Sequence, residues 1–138
     1  MAETFELEIV TPERLVVKET VEEAQVPATN GYIGVLAGHA PLITELAIGE
    51  ITFKSGGTVT HLALAWGFAE ILPTKTTILA ESAERAEEID VARAQDSKAR
   101  AEKFLTSNDP SVDQERALKA LKRAEVRLQV AQYAGVPR

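Results

Sequence analysis

The chain has 138 residues, with 15 Lys plus Arg against 21 Asp plus Glu for a net charge of −6, and no cysteine. That length suits one domain, or a compact domain with an appendage, with enough chain to bury a core. The acidic balance excludes a dedicated nucleic-acid binder, which neutralises phosphates with a basic surface, and the missing thiols exclude disulfides and thiolate metal sites.

His39 and His61 stand far apart with no carboxylate pattern beside them, which argues against a zinc site. No apolar run approaches the roughly 20 residues that cross a bilayer. Met1-Ala2-Glu3-Thr4 lacks the basic and apolar regions of a signal peptide. The expectation is a soluble intracellular protein that meets a membrane only through a partner.

From Thr4 to Glu81 the chain is written in short segments of strand chemistry, separated by Gly, Pro and Asn. Phe5, Leu7 and Ile9 alternate with Glu6 and Glu8, the period of a half-buried strand. Leu15-Val16-Val17 follows, then Ala24-Gln25-Val26, which Pro27 is expected to stop. Asn30-Gly31 supplies a tight turn before Tyr32-Ile33. Ile51 to Lys54, the Ser55-Gly56-Gly57 turn and Thr58 to Ala65 read as a second hairpin. Trp66 to Leu72, Pro73-Thr74-Lys75 and Thr76 to Ala80 read as a third. Strands at this spacing point to an antiparallel sandwich or flattened barrel.

Past Ala80, Ala, Glu, Arg, Lys and Gln replace the β-branched residues, which favours helix. A first helix is expected over about Ile89 to Leu105, with Asp90 in its first turn. Thr106-Ser107-Asn108-Asp109-Pro110 breaks it. Ser111-Val112-Asp113-Gln114 has capping-box form, so a second helix is expected from near Val112. The two make an antiparallel hairpin. Its apolar stripe, Ala117, Leu121, Ala124, Leu128 and Ala131, is mostly alanine. Each methyl buries little area, so the hairpin reads as a detachable element.

Catalytic motifs are missing: the chain holds no GxxxxGK[ST], no GxSxG and no HExxH. The many carboxylates read as a solvated acidic surface rather than an acid/base pair. His39, in Gly38-His39-Ala40-Pro41, reads as a loop histidine bonded to backbone rather than a base, and His61 as a surface or interface residue rather than a ligand. The second helix is more informative. Arg116, Lys119, Arg123 and Arg127 fall within about an 80° arc with no carboxylate inside it. A solvated face and a binding face for an acidic protein segment or a polyphosphate both fit that stripe. Arg93 and Arg100, seven apart on the first helix, could converge with Arg123 and Arg127 on one pocket, with Asp90 available to accept from a base or sugar edge.

Gly31-Tyr32-Ile33-Gly34-Val35-Leu36-Ala37-Gly38-His39-Ala40-Pro41-Leu42 and Ile89-Asp90-Val91-Ala92-Arg93-Ala94 resemble the epsilon subunit of rotary F-type ATP synthases, a likeness running from Phe5 to about Tyr133. The resemblance implies a ten-stranded antiparallel β-sandwich over residues 1–84 that binds the gamma subunit and the c-ring. Residues 85–138 then form a regulatory, nucleotide-binding helical hairpin. It implies a non-catalytic rotor subunit on the cytoplasmic face of the cell inner membrane, coupling proton-driven c-ring rotation to ATP synthesis. Tyr32, Gly38, His39 and Ala40 match the region facing the ring. In the family the hairpin permits turnover when folded down and blocks ATP hydrolysis when extended along gamma.

Some bacterial members bind ATP, as a regulatory ligand, through an [Ile/Leu]-Asp-x-x-Arg-Ala motif. Here that motif falls on Ile89, Asp90, Arg93 and Ala94, accompanied by Glu84, Arg100, Arg123 and Arg127. In the extended state Arg116, Lys119, Lys122, Arg123 and Arg127 match the surface meeting an acidic segment of the beta subunit, within the alpha/beta ring. The tail, Ala134 to Arg138, is short and lacks a lysine cluster. A free-standing nucleotide-responsive sensor acting on other proteins is the alternative, and a β-sandwich enzyme with a helical appendage is a third reading. Charge divides unevenly between the two parts. Residues 1–84 hold 4 basic and 12 acidic side chains, residues 85–138 hold 11 and 9.

Overall fold

The computed structural model describes residues 3–135, so Val136 to Arg138 of the tail lie outside the described residues. Eight strands come first: β1 Phe5–Val10, β2 Leu15–Val21, β3 Glu23–Ala28, β4 Gly31–Leu36, β5 Leu42–Leu46, β6 Gly49–Ser55, β7 Thr58–Ile71 and β8 Lys75–Arg85. A 3-10 turn, Ala86–Glu88, leads into α1 Val91–Leu105 and α2 Gln114–Ala131. The strands form a β-sandwich in which β1 and β2 continue through β8, β7 and β5, while β6 bridges β7 and β3.

Two features differ from the expected ten antiparallel strands. β8 runs parallel to β1, pairing Glu6 with Lys75 through Val10 with Leu79. Alternation along a strand fixes which face is buried and carries nothing about the direction of its neighbour. The described strands number eight, and the segments expected as Thr58 to Ala65 and Trp66 to Leu72 are one of them. β7 pairs with β6 up to Leu64 and with β5 from Gly67 onward, bending between the two. Gly67 makes the bend possible, since a Cβ there would lie 2.2 Å from the Leu79 carbonyl oxygen. Trp66 beside it takes a φ of 50°, the single positive φ among described non-glycine residues.

Pro27 does not end β3. It pairs with Tyr32 and sits where β3 changes neighbour from β6 to β5, a gap in which a missing N–H breaks no ladder bond. The hairpin that follows turns at Thr29-Asn30, one residue earlier than expected. β5 had no counterpart in the sequence reading, because Leu42-Ile43-Thr44-Glu45-Leu46 buries only its last residue fully.

The core between the layers is large and aliphatic. Leu7, Ile9, Leu46, Ile51, Phe53, Leu62, Leu64, Ile71 and Ile78 are all fully buried. Each such side chain contributes roughly 1.5–3 kcal/mol of transfer free energy.

The hairpin is built differently. α1 starts at Val91 with Asp90 as its N-cap, the carboxylate accepting from Arg93 N at 3.1 Å. α2 starts at Gln114 and is capped by Asp113, accepting from Arg116 N at 3.0 Å, in place of the expected box at Ser111. The Ser111 hydroxyl is taken by Asp109 at 2.8 Å, so the helix begins two residues later. α1 and α2 meet through buried Ala94, Ala101, Ala117 and Ala124. Against the sandwich, α2 places Val130 on Ala63, Ala86 and Ile89, with Val126, Ala131 and Tyr133 around them.

Candidate functional site

β8 delivers Glu84 to the junction between sandwich and hairpin, opposite Ala63 of β7. There Arg127 of α2 meets it twice, Nη2 donating to Oε2 at 3.1 Å and Nε lying 2.8 Å from Oε1. Both side chains keep about a quarter of their surface, so the pair is shielded without being buried.

The hinge next to it is also tied. Glu88 accepts from Arg85 N at 2.9 Å and pairs with Arg14 at 2.8 Å. The hydrogen bond from Arg14, aided by the Arg85 amide, holds the Glu88 carboxyl below its ordinary range despite partial burial, and the same bond raises Arg14. At the hairpin turn, the Ser111 amide and hydroxyl lower Asp109 in the same manner.

Two further contacts bind α2 to β7. Trp66 lies under Arg123 and Lys119, at 5.3 and 5.9 Å from its ring centroid. His61 stacks on Tyr133 with centroids 3.6 Å apart and planes 2° from parallel. The pairings run antiparallel: Trp66 with Arg123, Ala63 with Val130, His61 with Tyr133. Seven residues of helix from Arg123 to Val130 rise about 10 Å and three of strand from Trp66 to Ala63 about 10 Å, so helix and strand stay in step across the contact.

Of the residues that sequence reasoning assembled around one pocket, the structure brings together Glu84, Arg123 and Arg127. They line a narrow cleft of about 20 Å³ with Ala63, Ser82 and Val126. That volume holds little more than one water molecule. The others have places in the architecture. Ile89 is buried against Val130, and Ala94 is fully buried between the helices. Asp90 caps α1. Arg93 and Arg100 are exposed on α1, Arg100 donating to Ser97 at 3.3 Å. The Ile-Asp-x-x-Arg-Ala sequence is therefore also what a buried anchor, an N-cap and a close helix–helix contact require.

The basic stripe of α2 splits in two. Arg123 and Arg127 are turned to the sandwich, Arg116 and Lys122 are exposed, and Lys119 stands between the two groups, over Trp66 and paired with Glu115 at 3.4 Å. Sequence reasoning gave Trp66 and Tyr133 no part in the junction. The signal for the first was present, since a lone tryptophan followed by glycine in mid-strand marks a bend, and the Trp66 ring there is half-buried, outside the core. His61 does lie at an interface.

The Gly38-His39-Ala40 loop sits elsewhere. Gly38, with φ +82°, donates its N–H to Pro73 O at 2.8 Å, tying the loop to the β7–β8 turn, and the His39 ring contacts Ala40 O at 2.7 Å. Leu36, Leu42 and Leu72 are exposed around it. Tyr32 stands at the opposite end of β4, its hydroxyl accepting from Glu50 N at 3.0 Å.

The family model described as ATP synthase, Delta/Epsilon chain, beta-sandwich domain matches residues 4–86, and the one described as ATP synthase, Delta/Epsilon chain, long alpha-helix domain matches residues 87–132. The chain is similar to the ATP synthase epsilon chain of Koribacter versatilis, 65% identical over 110 residues covering 80% of this chain and 78% of that one. It is similar to that of Solibacter usitatus, 47% identical over 131 residues covering 95% and 98%. Among solved structures it resembles a chain of the Euglena gracilis mitochondrial ATP synthase, OSCP/F1/c-ring in rotational state 1. There the TM-score is 0.80 at 25% identity, covering 94% and 81%. A chain of the Tetrahymena thermophila mitochondrial ATP synthase central stalk and c-ring shares the fold, with TM-score 0.55 at 11% identity, covering 96% and 97%.

Proposed function

This chain belongs to the epsilon-chain family of bacterial ATP synthases, and on that premise we propose that it is a rotor subunit whose helical hairpin is a two-position switch. An epsilon chain is a non-catalytic subunit of an enzyme of ATP synthesis and proton transport. Its proposed place is the central stalk with the c-ring, in a complex peripheral to the membrane. None of the described helices is long and apolar enough to cross a membrane.

The sandwich carries the static contacts. Its outer face exposes Ile43, Phe68 and Leu79, with Phe68 and Leu79 paired across β7 and β8. This apolar surface suits a permanent partner, and gamma is the one proposed. The Gly38-His39-Ala40 loop, rimmed by Leu36, Leu42 and Leu72, is the end proposed to rest on the c-ring at the cytoplasmic face of the cell inner membrane. Tyr32 lies away from it.

The hairpin carries the switch. The observation behind this reading is the composition of its contact with the sandwich: small side chains, two aromatic contacts and one ion pair, Glu84 with Arg127. Such a contact is weak enough to open. ATP, as a regulatory ligand, is proposed to bind the folded-down hairpin at Glu84, Ile89, Asp90, Arg93, Ala94, Arg100, Arg123 and Arg127. Phosphates would draw Arg127 from Glu84 and open the narrow cleft. In the extended hairpin Arg116, Lys119, Lys122, Arg123 and Arg127 are freed to face an acidic segment of the beta subunit, and ATP hydrolysis stops. The two ligands compete for Arg123 and Arg127, so each shifts the population toward its own conformer.

Calorimetric titration with ATP tests the pocket. Binding that does not need Mg²⁺ is expected, with a loss of about tenfold or more in Arg93→Ala and Arg127→Ala. Unchanged affinity in both variants defeats the assignment. Deleting Glu88 onward is expected to leave a sandwich that binds gamma without inhibiting hydrolysis, and persistent inhibition contradicts the division of labour.

A further inference from the structure

We propose that Trp66 is a positioning residue for the hairpin: its ring is a platform on which Arg123 and Lys119 seat α2, gained at the expense of strain in its own backbone. The proposal rests on the reading of the hairpin as a movable element. Trp66 has a φ of 50°, a left-handed conformation that costs a bulky side chain free energy and glycine nothing. A residue held in such a conformation points to a role outside simple folding.

The bend explains where the ring goes. Before Trp66, Leu62 and Leu64 face the core of the sandwich, and after it Ala69 and Ile71 do. The inward face of β7 therefore changes from even to odd positions across Trp66 and Gly67, against the simple alternation of a strand. Trp66 is turned outward on the same side as exposed Phe68. Among the described residues its ring belongs to neither buried cluster. A glycine at this position would serve the bend without strain. What the tryptophan adds is an aromatic face, which Arg123 and Lys119 cover at 5.3 and 5.9 Å from the ring centroid.

Indole is the strongest of the aromatic partners for a cation. Arg127, one turn further along α2, is held by the Glu84 carboxylate and loses its charge to it. Arg123 is held by a neutral ring, and among the described residues it forms no ion pair. Trp66 thus fixes Arg123 beside the Glu84 cleft with its charge uncompensated, as a site for an anionic ligand requires.

Hydrogen exchange read by mass spectrometry in the full-length chain tests this, with the α2 amides reporting docking and those around Leu64 and Ile78 reporting the sandwich. Trp66→Gly removes ring and strain together, so exchange in α2 should rise about three- to tenfold while exchange in the sandwich stays the same or slows. Trp66→Leu keeps the strain and an apolar side chain without the ring, and should free α2 to a similar extent. Trp66→Phe should restore part of the protection. Arg123→Gln should free α2 as well, and combined with Trp66→Leu its effect should be less than the product of the two. A Trp66→Gly chain with α2 as protected as in the wild type overturns the positioning role. So does one in which sandwich and hairpin exchange faster alike, the behaviour of a core residue, and so does a Trp66→Leu chain that matches the wild type. Glu84→Gln separates the two readings. If it frees α2 while Trp66→Gly does not, the positioning role alone falls. If α2 exchanges only together with the sandwich in every variant, the hairpin does not move by itself and both readings fall.

Discussion

The sandwich core and the hairpin contact are two solutions to burial within one chain. Inside the sandwich, nine large side chains, Leu7 through Ile78, are withdrawn completely from solvent. Between the helices, and between α2 and β7, the buried groups are mainly alanines, with Ile89 and Val130 the largest among them. A methyl contributes about 0.8 kcal/mol where a leucine contributes two or three times that. The sandwich thus holds the larger apolar core, and the weaker contact belongs to the hairpin, the part proposed to change its place. Polar and aromatic contacts along β7 position the hairpin where methyls alone would leave it loosely held.

This contrast breaks most severely at Gly67. A valine there drives Cβ into the Leu79 carbonyl and should cost more than about 4 kcal/mol, seen as loss of the cooperative urea transition. Leu62→Ala should cost about 2–5 kcal/mol in the same measurement, because it leaves a cavity at the centre of β7. Ala124→Leu sharpens the comparison from the other side. Overpacking the helix–helix contact should cost about 1–3 kcal/mol of hairpin structure, read from helical circular dichroism, while the sandwich transition stays in place.

Glu84→Gln should weaken docking by about 1 kcal/mol at most, since both partners are partly hydrated, and hydrogen exchange in α2 should rise. The smallest effect belongs to the hinge. Glu88 has a lowered pKa in the folded chain, so its bond to Arg14 adds stability above the ordinary glutamate value of 4.5 and loses it as pH falls through the folded value. The stability difference between wild type and Arg14→Ala should therefore shrink in acid.

Much of this architecture was legible because period and composition change character along the chain. Phe5, Leu7 and Ile9 announced β1, and the alanine-rich stretch announced both helices. What escaped notice lacked a local signature. Nothing around Leu42 distinguishes β5, whose edges are half exposed. The Ser111 box satisfied the capping pattern, yet Asp109 captured the hydroxyl and Asp113 capped α2. In the candidate site, helical spacing grouped Arg123 with Arg127, and both do face Glu84. It also grouped Arg93 and Arg100 with them, but those two point outward, because seven-residue alignment does not say which side of α1 meets α2.

By itself the sequence determined the division into a β-rich body and an alanine-rich hairpin, the positions of most turns, and the uneven distribution of charge between the parts. These follow from properties that repeat over a few residues. Tertiary structure decided what lies far apart in the chain: β8 parallel to β1, β7 as one bent strand, Glu84 against Arg127, and His61 beneath Tyr133. Such pairings depend on strand direction, on the one backbone approach that only Gly67 permits, and on a helix rising 1.5 Å per residue beside a strand rising about 3.3 Å.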